Sequence, residues 1–439
     1  MLVPHDMNGQ IVGVLGLGGS GIAAVAALQA AGAHVVAFDD EKHQHDLPAI
    51  HMTDWRDWPW QDMAAMVISP GIPHRHPKPH PAAAQANSLQ IEVISEIELA
   101  MRAKPQARLV VVTGTNGKST TTALIGQCLK TAGRAHAIGG NLGDPACSLD
   151  DPGKDGVLVL ELSSYQLETT PSLAPDISIL LNISPDHLDR HGGMKGYIAA
   201  KTVALDRLRT DCLAIIGDGD EHVKMLAAAT RKRGIKTMIA SPDDAPDAQR
   251  HSASLAGSHN AENAAAAAFA LAALGLDITM INRGVKSYTS LPHRLQTVAH
   301  CGKIQFVNDS KATNGVAAAK ALSAFDDIYW VAGGLAKQDG LAPAMQYLGA
   351  VKKAYLIGAA ATEFAKSLDG QCPAAICGDL EKATRAAFDD ASAAVDGGTI
   401  LLAPAAASFD QFASFGARGD AFAALAQDLC ATAAGGNHA

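Results

Sequence analysis

The chain has 439 residues, enough for two or three domains that each bury a core of their own. Hydrophobic residues make up 48% and charged residues 18%, which excludes disorder as the main state of the chain. A formal net charge of −9, from 35 Lys+Arg against 44 Asp+Glu, gives no basic field for a polyphosphate backbone, so nucleic acid is not an expected partner.

Short Val/Ile/Leu-rich runs alternate with Ala-rich stretches from end to end, the pattern of parallel α/β sheets with crossover helices. In the first block, Ile11–Leu15 and His34–Phe38 read as strands around a helix at Ile22–Ala31. The stretch from Met7 to Phe38 carries no Asp, Glu, Lys or Arg, yet its glycines between Gly13 and Gly21 favour a buried strand, turn and helix over a membrane span. A strand at Met66–Ser69, a Pro/His-rich loop from Pro70 to Pro81 and a helix around Ser95–Arg102 follow, and Lys104-Pro105 reads as a linker.

The second block offers strands at Arg108–Thr113, Val157–Leu160, Ile177–Asn182 and Cys212–Ile216, then a helix of small apolar residues from Ser258 through Leu274. Strands at Ile304–Val307, Ile328–Val331, Ala354–Ile357 and Thr399–Leu402 mark the third block, and Gly435 to Ala439 reads as a frayed tail. The expected boundaries are 1–104, 105–292 and 293–439. Seven scattered cysteines without a C-x-x-C pair argue against a disulfide framework or zinc ribbon and fit a reducing cytoplasm.

Chemistry concentrates in the second block. Val110 to Thr122 is an apolar strand, a loop of Gly114, Thr115, Asn116 and Gly117, and a helix opening with Lys118, Ser119 and Thr120. Those are the parts of a phosphate cradle: backbone N–H groups and a helix N-terminus for phosphate oxygens, a lysine for charge, a hydroxyl for Mg²⁺. The strict G-x-x-x-x-G-K-[ST] pattern fails at its first glycine, which is Val112 here. Glu161 closes a strand where α/β sheets place ligands and could bind Mg²⁺ opposite Ser119, while His187, between Asp186 and Asp189, sits at the end of the next strand.

Gly16-Leu-Gly-Gly-Ser-Gly21 also matches G-x-G-x-x-G, with Asp39 where a ribose-binding acid belongs. Such a loop reports a backbone that approaches a dinucleotide, another nucleotide or only a packed helix. A nicotinamide-dependent oxidoreductase and a non-catalytic nucleotide-binding protein are therefore alternatives.

The succession Thr113-Gly-Thr-Asn-Gly-Lys-Ser-Thr120, Gly140-Asn-Leu-Gly143, Leu160-Glu-Leu-Ser-Ser-Tyr-Gln-Leu-Glu168, Asn182-Ile-Ser-Pro-Asp-His-Leu-Asp-Arg190, Ala199-Ala-Lys201, His259-Asn-Ala-Glu-Asn263, Leu291-Pro-His-Arg294, Asn308-Asp-Ser-Lys-Ala-Thr-Asn314 and Ala407-Ser-Phe-Asp-Gln-Phe412 resembles the Mur ligases over essentially the whole chain. The resemblance is narrowest to the branch that adds D-glutamate to UDP-N-acetylmuramoyl-L-alanine in peptidoglycan synthesis. It implies a cytoplasmic, monomeric, ATP-dependent amide ligase without membrane insertion. The implied fold is α/β in three domains: a Rossmann-like N-terminal domain for the UDP end, a central P-loop ATPase domain with a mainly parallel sheet, and a Rossmann-like C-terminal domain that binds the amino acid and closes.

By the same resemblance, Lys118 holds phosphate and Ser119 with Glu161 a first Mg²⁺, while His187 and a carbamylated Lys201 hold a second. Asn260, Asn263, Arg294 and Asp309 face the nucleotide. Gly19, Ser20, Asp39, Ser69, Gly71, Asn141, Ser163 and Gln166 match positions near UDP and the muramoyl moiety, and Lys311, Thr313, Lys337, Ser408 and Phe415 match the glutamate side. Folylpolyglutamate synthase is the related alternative, set apart by the complete Gly-rich βαβ unit that precedes Thr113 here.

Overall fold

The computed structural model describes residues 1–42, 47, 50–289, 291–336 and 340–435, which form two compact units, residues 1–252 with 260–288 and residues 253–259 with 289 onward. Of the tail expected from Gly435 to Ala439, Gly435 still belongs to the helix Phe415–Gly435 and the rest lies outside the described residues.

The first unit holds two sheets. One is a four-stranded parallel sheet in the order His34–Phe38, Ile11–Leu15, Met63–Ile68, Glu92–Ile94. Val12 and Val14 point into one core against Ala24, Ala27 and Leu28 of the helix Gly19–Ala30. On the other face Gly13 leaves room for Trp58, since a Cβ there would stand 2.4 Å from the indole. The helix begins three residues before the expected Ile22 because Gly18 enters it in extended geometry. A helix not expected from the sequence, Pro81–Ser88, starts where the Pro/His loop was taken to end: Pro81 supplies a compatible φ at its first turn and the His80 ring accepts the Ala82 N–H at 3.1 Å.

The second sheet is six-stranded and wholly parallel, in the order Lys236–Ala240, Leu213–Gly217, Ile177–Leu180, Arg108–Thr113, Val157–Glu161, His136–Gly140. Arg108–Thr113 lies centrally and Val110, Val111 and Val112 are fully buried, as a strand covered on both faces requires. Its neighbours end in Glu161 and in the turn after Leu180, so the loops that follow all three strands open on one rim. The strand expected to reach Asn182 stops at Leu180, because Asn182 turns to bond the phosphate-loop backbone.

The second unit is built on a six-stranded sheet ordered Gln296–Cys301, Ile304–Asn308, Gly398–Leu402, Ile328–Gly333, Val351–Ile357, Ala374–Gly378. This sheet is parallel except at one edge, where Gln296–Cys301 runs antiparallel to Ile304–Asn308, joined by a tight turn through Gly302 at φ +59°. One face packs Trp330, Leu356 and Phe364, the other Phe306, Tyr355 and Phe422. A two-stranded ladder, Leu335–Ala336 with Ala406–Ala407, stands at its rim. Among the described residues no helix is long and apolar enough to cross a membrane.

Candidate active site

The loop after Arg108–Thr113 is held open from below. Thr115 and Asn116 donate their N–H groups to the carbonyl and side-chain oxygen of Asn182, each at 2.9 Å, and Asn182 Nδ2 returns a bond to Asn116 O at 3.1 Å. Gly117 takes φ +87°, a left-handed conformation that favours glycine, and no side chain caps the helix Lys118–Thr131 that it starts. A helix start of this kind presents backbone N–H groups and the positive end of a dipole, the features that receive an anion. Lys118 Nζ folds back on the carbonyls of Gly114 and Thr115 at 2.9 and 2.7 Å, and Thr120 lies on the same first turn.

Ser119 Oγ donates to Glu161 Oε2 at 2.5 Å and Asn141 Nδ2 to Oε1 at 2.7 Å, with Ser119 and Glu161 both buried. A carboxylate and a hydroxyl in contact, hard oxygens away from bulk water, are a donor set that fits Mg²⁺. Asn260 and Asn263 are buried on the first turns of Ser258–Ala273, and the Asn263 amide donates to Asn260 at 3.1 Å while lying against Gly117. Of the two expected nucleotide-facing amides, Asn263 thus lies directly against the phosphate loop and Asn260 is tied to it through Asn263.

Lys201 is buried within the helix Met194–Asp206 and donates to Gly114 O at 2.7 Å. Burial, reinforced by the charge of Lys118, holds its amine well below the ordinary lysine range, against the opposing pull of Asp186 and Glu161. Its Nζ lies 4.8 Å from the centre of the Tyr197 ring, whose hydroxyl meets Thr115 Oγ1 at 3.0 Å. Tyr197 was not singled out from sequence, where a lone tyrosine in a helix carries no signal. His187 takes φ +55° and exposes its ring beside Tyr165, centroids 5.2 Å apart, with Nε2 3.5 Å from Asp186. Among the described residues no group of three or more His, Cys, Asp or Glu side chains is arranged to hold a metal.

In the four-stranded sheet, Gly16 at φ +89° receives Ser69 Oγ on its carbonyl at 2.9 Å, and Asp39 accepts the Leu17 N–H at 2.5 Å. Gly19 and Ser20 open the helix, and no atom lies within 4 Å of where a Cβ on Gly19 would stand, leaving that side of the loop clear. The Asp39 acid thus ties the glycine loop to the next strand. Ser163 and Gln166 form a reciprocal cap on the helix Ser164–Glu168 and therefore already have a structural task. Arg190, missed from sequence, donates to Gly71 O at 2.8 Å and Pro70 O at 3.3 Å, lies 4.5 Å over the Tyr165 ring and so fastens the Ser69–Gly71 turn beside the His187 loop.

In the second unit Asp309 accepts the Leu295 N–H at 3.2 Å, and burial pushes its carboxyl up to about 7 against the opposing charge of Arg294. Lys311 Nζ lies 4.0 Å over the Phe415 ring, Thr313 donates its N–H to Lys311 O at 2.8 Å, and Ser408 is buried. Lys337 lies outside the described residues.

The Mur ligase middle domain matches residues 112–252, and the Mur ligase glutamate ligase domain matches residues 293–406. The UDP-N-acetylmuramoylalanine--D-glutamate ligase of Caulobacter sp. (strain K31) is 42% identical over an alignment of 462 residues that covers 98% of either chain. Among solved structures, the UDP-N-acetylmuramate-alanine ligase of Thermotoga maritima superposes with a TM-score of 0.59 at 17% identity, over 95% of this chain and 99% of that one. The folylpolyglutamate synthase of Mycobacterium tuberculosis gives 0.54 at 17% identity over 73% of this chain and 91% of that one. At such identities both structures speak for the fold alone, whereas 42% identity along nearly the whole of both chains speaks for common descent with the Caulobacter enzyme. The chain belongs to the Mur ligase family.

Proposed function

We propose that the protein joins the amine of D-glutamate to the alanine carboxylate of UDP-N-acetylmuramoyl-L-alanine, with ATP converted to ADP and phosphate. The observation that carries this reading is the buried Ser119–Glu161–Asn141 chain set beside the uncapped helix start at Gly117 and Lys118. The choice of substrates follows the 42% identical relative of that name.

A free carboxylate is a poor electrophile, so the γ-phosphoryl group passes to it first and the resulting acyl phosphate is open to attack by the amine. Phosphate then leaves through a tetrahedral intermediate. The backbone of Gly114–Gly117 and the helix start receive the phosphates, and Lys118 turns from its loop carbonyls to the transferred group. Ser119 and Glu161 would hold one Mg²⁺, and His187 with a carbamylated Lys201 a second. Bound magnesium neutralises the phosphate oxygens and the charge that develops on them. A plain ammonium has donors only and cannot ligate a cation, so carbamylation is what gives Lys201 this role. Its depressed basicity favours the free amine that carbon dioxide requires.

Asn260, Asn263, Arg294 and Asp309 face the nucleotide; Gly19, Ser20, Asp39, Ser69, Gly71, Asn141, Ser163 and Gln166 line the UDP-muramoyl side; Lys311, Thr313, Lys337, Ser408 and Phe415 receive D-glutamate. A cation and hydroxyls suit a dicarboxylate. The domains run 1–104, 105–292 and 293–439, and the protein works as a cytoplasmic monomer. The test is phosphate release from ATP with the nucleotide sugar, with and without D-glutamate. Release that requires both supports the reading, whereas folate-dependent glutamate addition or NADH oxidation without ATP supports one of the alternatives.

A further inference from the structure

Arg418 is among the largest fully buried side chains of the second unit, and its hydrogen bonds go to neutral groups. Nε donates to Ser310 Oγ at 3.0 Å; Nη2 donates to Ser310 O at 2.9 Å and Ala406 O at 3.1 Å; Nη1 donates to Ala406 O at 3.2 Å and Gly333 O at 3.4 Å. Among the described residues no carboxylate hydrogen-bonds to it, and Asp410 acts on it only through space. Burial lowers it to about 10, so it stays charged at neutral pH.

These acceptors lie on three separate segments. Ser310 stands between Asp309 and Lys311, Gly333 begins the stretch that runs on to Lys337, and Ala406 is two residues before Ser408. Ser310 Oγ in turn donates to Phe415 O at 2.8 Å, at the start of the helix Phe415–Gly435 that carries Arg418. The approach is close enough to dictate a glycine: at Gly334, φ +133°, a Cβ would stand 3.2 Å from Arg418 Nη1 and 2.1 Å from Ala407 O. Ser408 Oγ is buried without a hydrogen-bond partner among the described residues, so the polar group next to Ala406 is left for something else to satisfy.

We infer that Arg418 is the positioning residue of the amino-acid pocket, its guanidinium fixing the segments that bear Lys311, Thr313, Ser408 and Phe415 and thereby setting affinity for the dicarboxylate substrate. The helix does not need Arg418 to dock, since Phe422, Ala426 and Leu429 pack it against Phe306 and Tyr355. A planar fork of five donors can serve carbonyls on three segments at once, which the three donors of a lysine on a flexible stem cannot. This inference rests on the ligase reading above.

The experiment measures KM for D-glutamate and for ATP, kcat and the melting temperature in the parent, Arg418→Lys and Ser310→Ala. Phosphate release in the parent that ignores D-glutamate would defeat the ligase reading itself, before any variant is compared. With that reading intact, Arg418→Lys should raise KM for D-glutamate about tenfold or more, as expected for lost charge-assisted hydrogen bonds, with KM for ATP within about twofold. A lowered melting temperature with an unchanged KM for D-glutamate would show that Arg418 only holds the fold. Should Arg418→Lys fail to fold, Ser310→Ala decides: it removes the Nε acceptor and the bond to Phe415, and an unchanged KM for D-glutamate overturns the inference.

Discussion

Asn263 and Gly117 are packed so closely that the amide oxygen of the one lies 2.2 Å from where a Cβ on the other would stand. Helix and phosphate loop, far apart in sequence, are thus mutually dependent through a missing side chain.

Gly117→Ala should accordingly damage nucleotide binding. Alanine at φ +87° is strained by about 1 kcal/mol and must also displace Asn263, one of the proposed nucleotide contacts. KM for ATP is expected to rise more than about tenfold, since 1.4 kcal/mol already makes a decade. An ATP titration that overlays the parent curve would show that the loop does not bind the nucleotide.

Glu161→Gln keeps the volume but removes the charge, and its amide nitrogen must face either Ser119 or Asn141, both of which donate to the carboxylate. Turnover should fall about 100-fold, the scale of a lost electrostatic contribution, and the magnesium titration should shift upward. Identical magnesium curves at equal turnover would remove Glu161 from the metal site.

Lys201→Ala opens a cavity beside Gly114 O and the Tyr197 ring. If the native group is a carbamate, acetate should restore part of the activity and ethylamine none, at fixed ionic strength so that screening is constant. Rescue by the amine alone would reject the carbamate. Mass spectrometry of the parent under carbon dioxide, with trapping of the adduct, gives a readout independent of turnover.

How much of this was legible beforehand depended on where each strand lies. Ile11–Leu15, His34–Phe38 and Arg108–Thr113 have the bounds expected from their apolar runs, because these strands are flanked by clear turn signals. Apart from His34–Phe38, the sheet edges escaped notice. His136–Gly140 offers two glycines and an alanine, and is a strand because Val157–Glu161 pairs with it. Ala374–Gly378, mostly exposed, and Lys236–Ala240, mostly half-exposed, are edge strands whose residues carry no buried run. The phosphate loop was readable because its chemistry is contiguous in sequence. Tyr197, Arg190 and Arg418 were not, because their partners arrive from distant segments and a single buried arginine or tyrosine leaves no local pattern.

Stability should depend on pH through Glu96. Burial pushes its carboxyl up to about 7 even though the Cys147 N–H binds Oε1, and Oε2 has no hydrogen-bond partner among the described residues. The native state therefore holds this proton more tightly than the unfolded chain, whose carboxyl titrates near 4.5. The contribution is fully present below pH 4.5 and is lost as pH rises to 7, amounting to roughly 3 kcal/mol. Glu96→Gln should flatten this part of the profile, and parallel urea-unfolding profiles for parent and variant across that window would exclude Glu96 as its source.

The central strand Arg108–Thr113 carries a further implication for how the protein opens. Its residues pair with Val157–Glu161 on one side and Ile177–Leu180 on the other, and Val110 to Val112 have no solvent contact. Amide hydrogens so placed exchange with deuterium only when the whole core comes apart, whereas edge strands such as Lys236–Ala240 fray in smaller events. The floor beneath the phosphate loop is thus the last part of its unit to let go. A molecule already nicked by protease or loosened by heat at the sheet edge retains its phosphate cradle until it unfolds entirely.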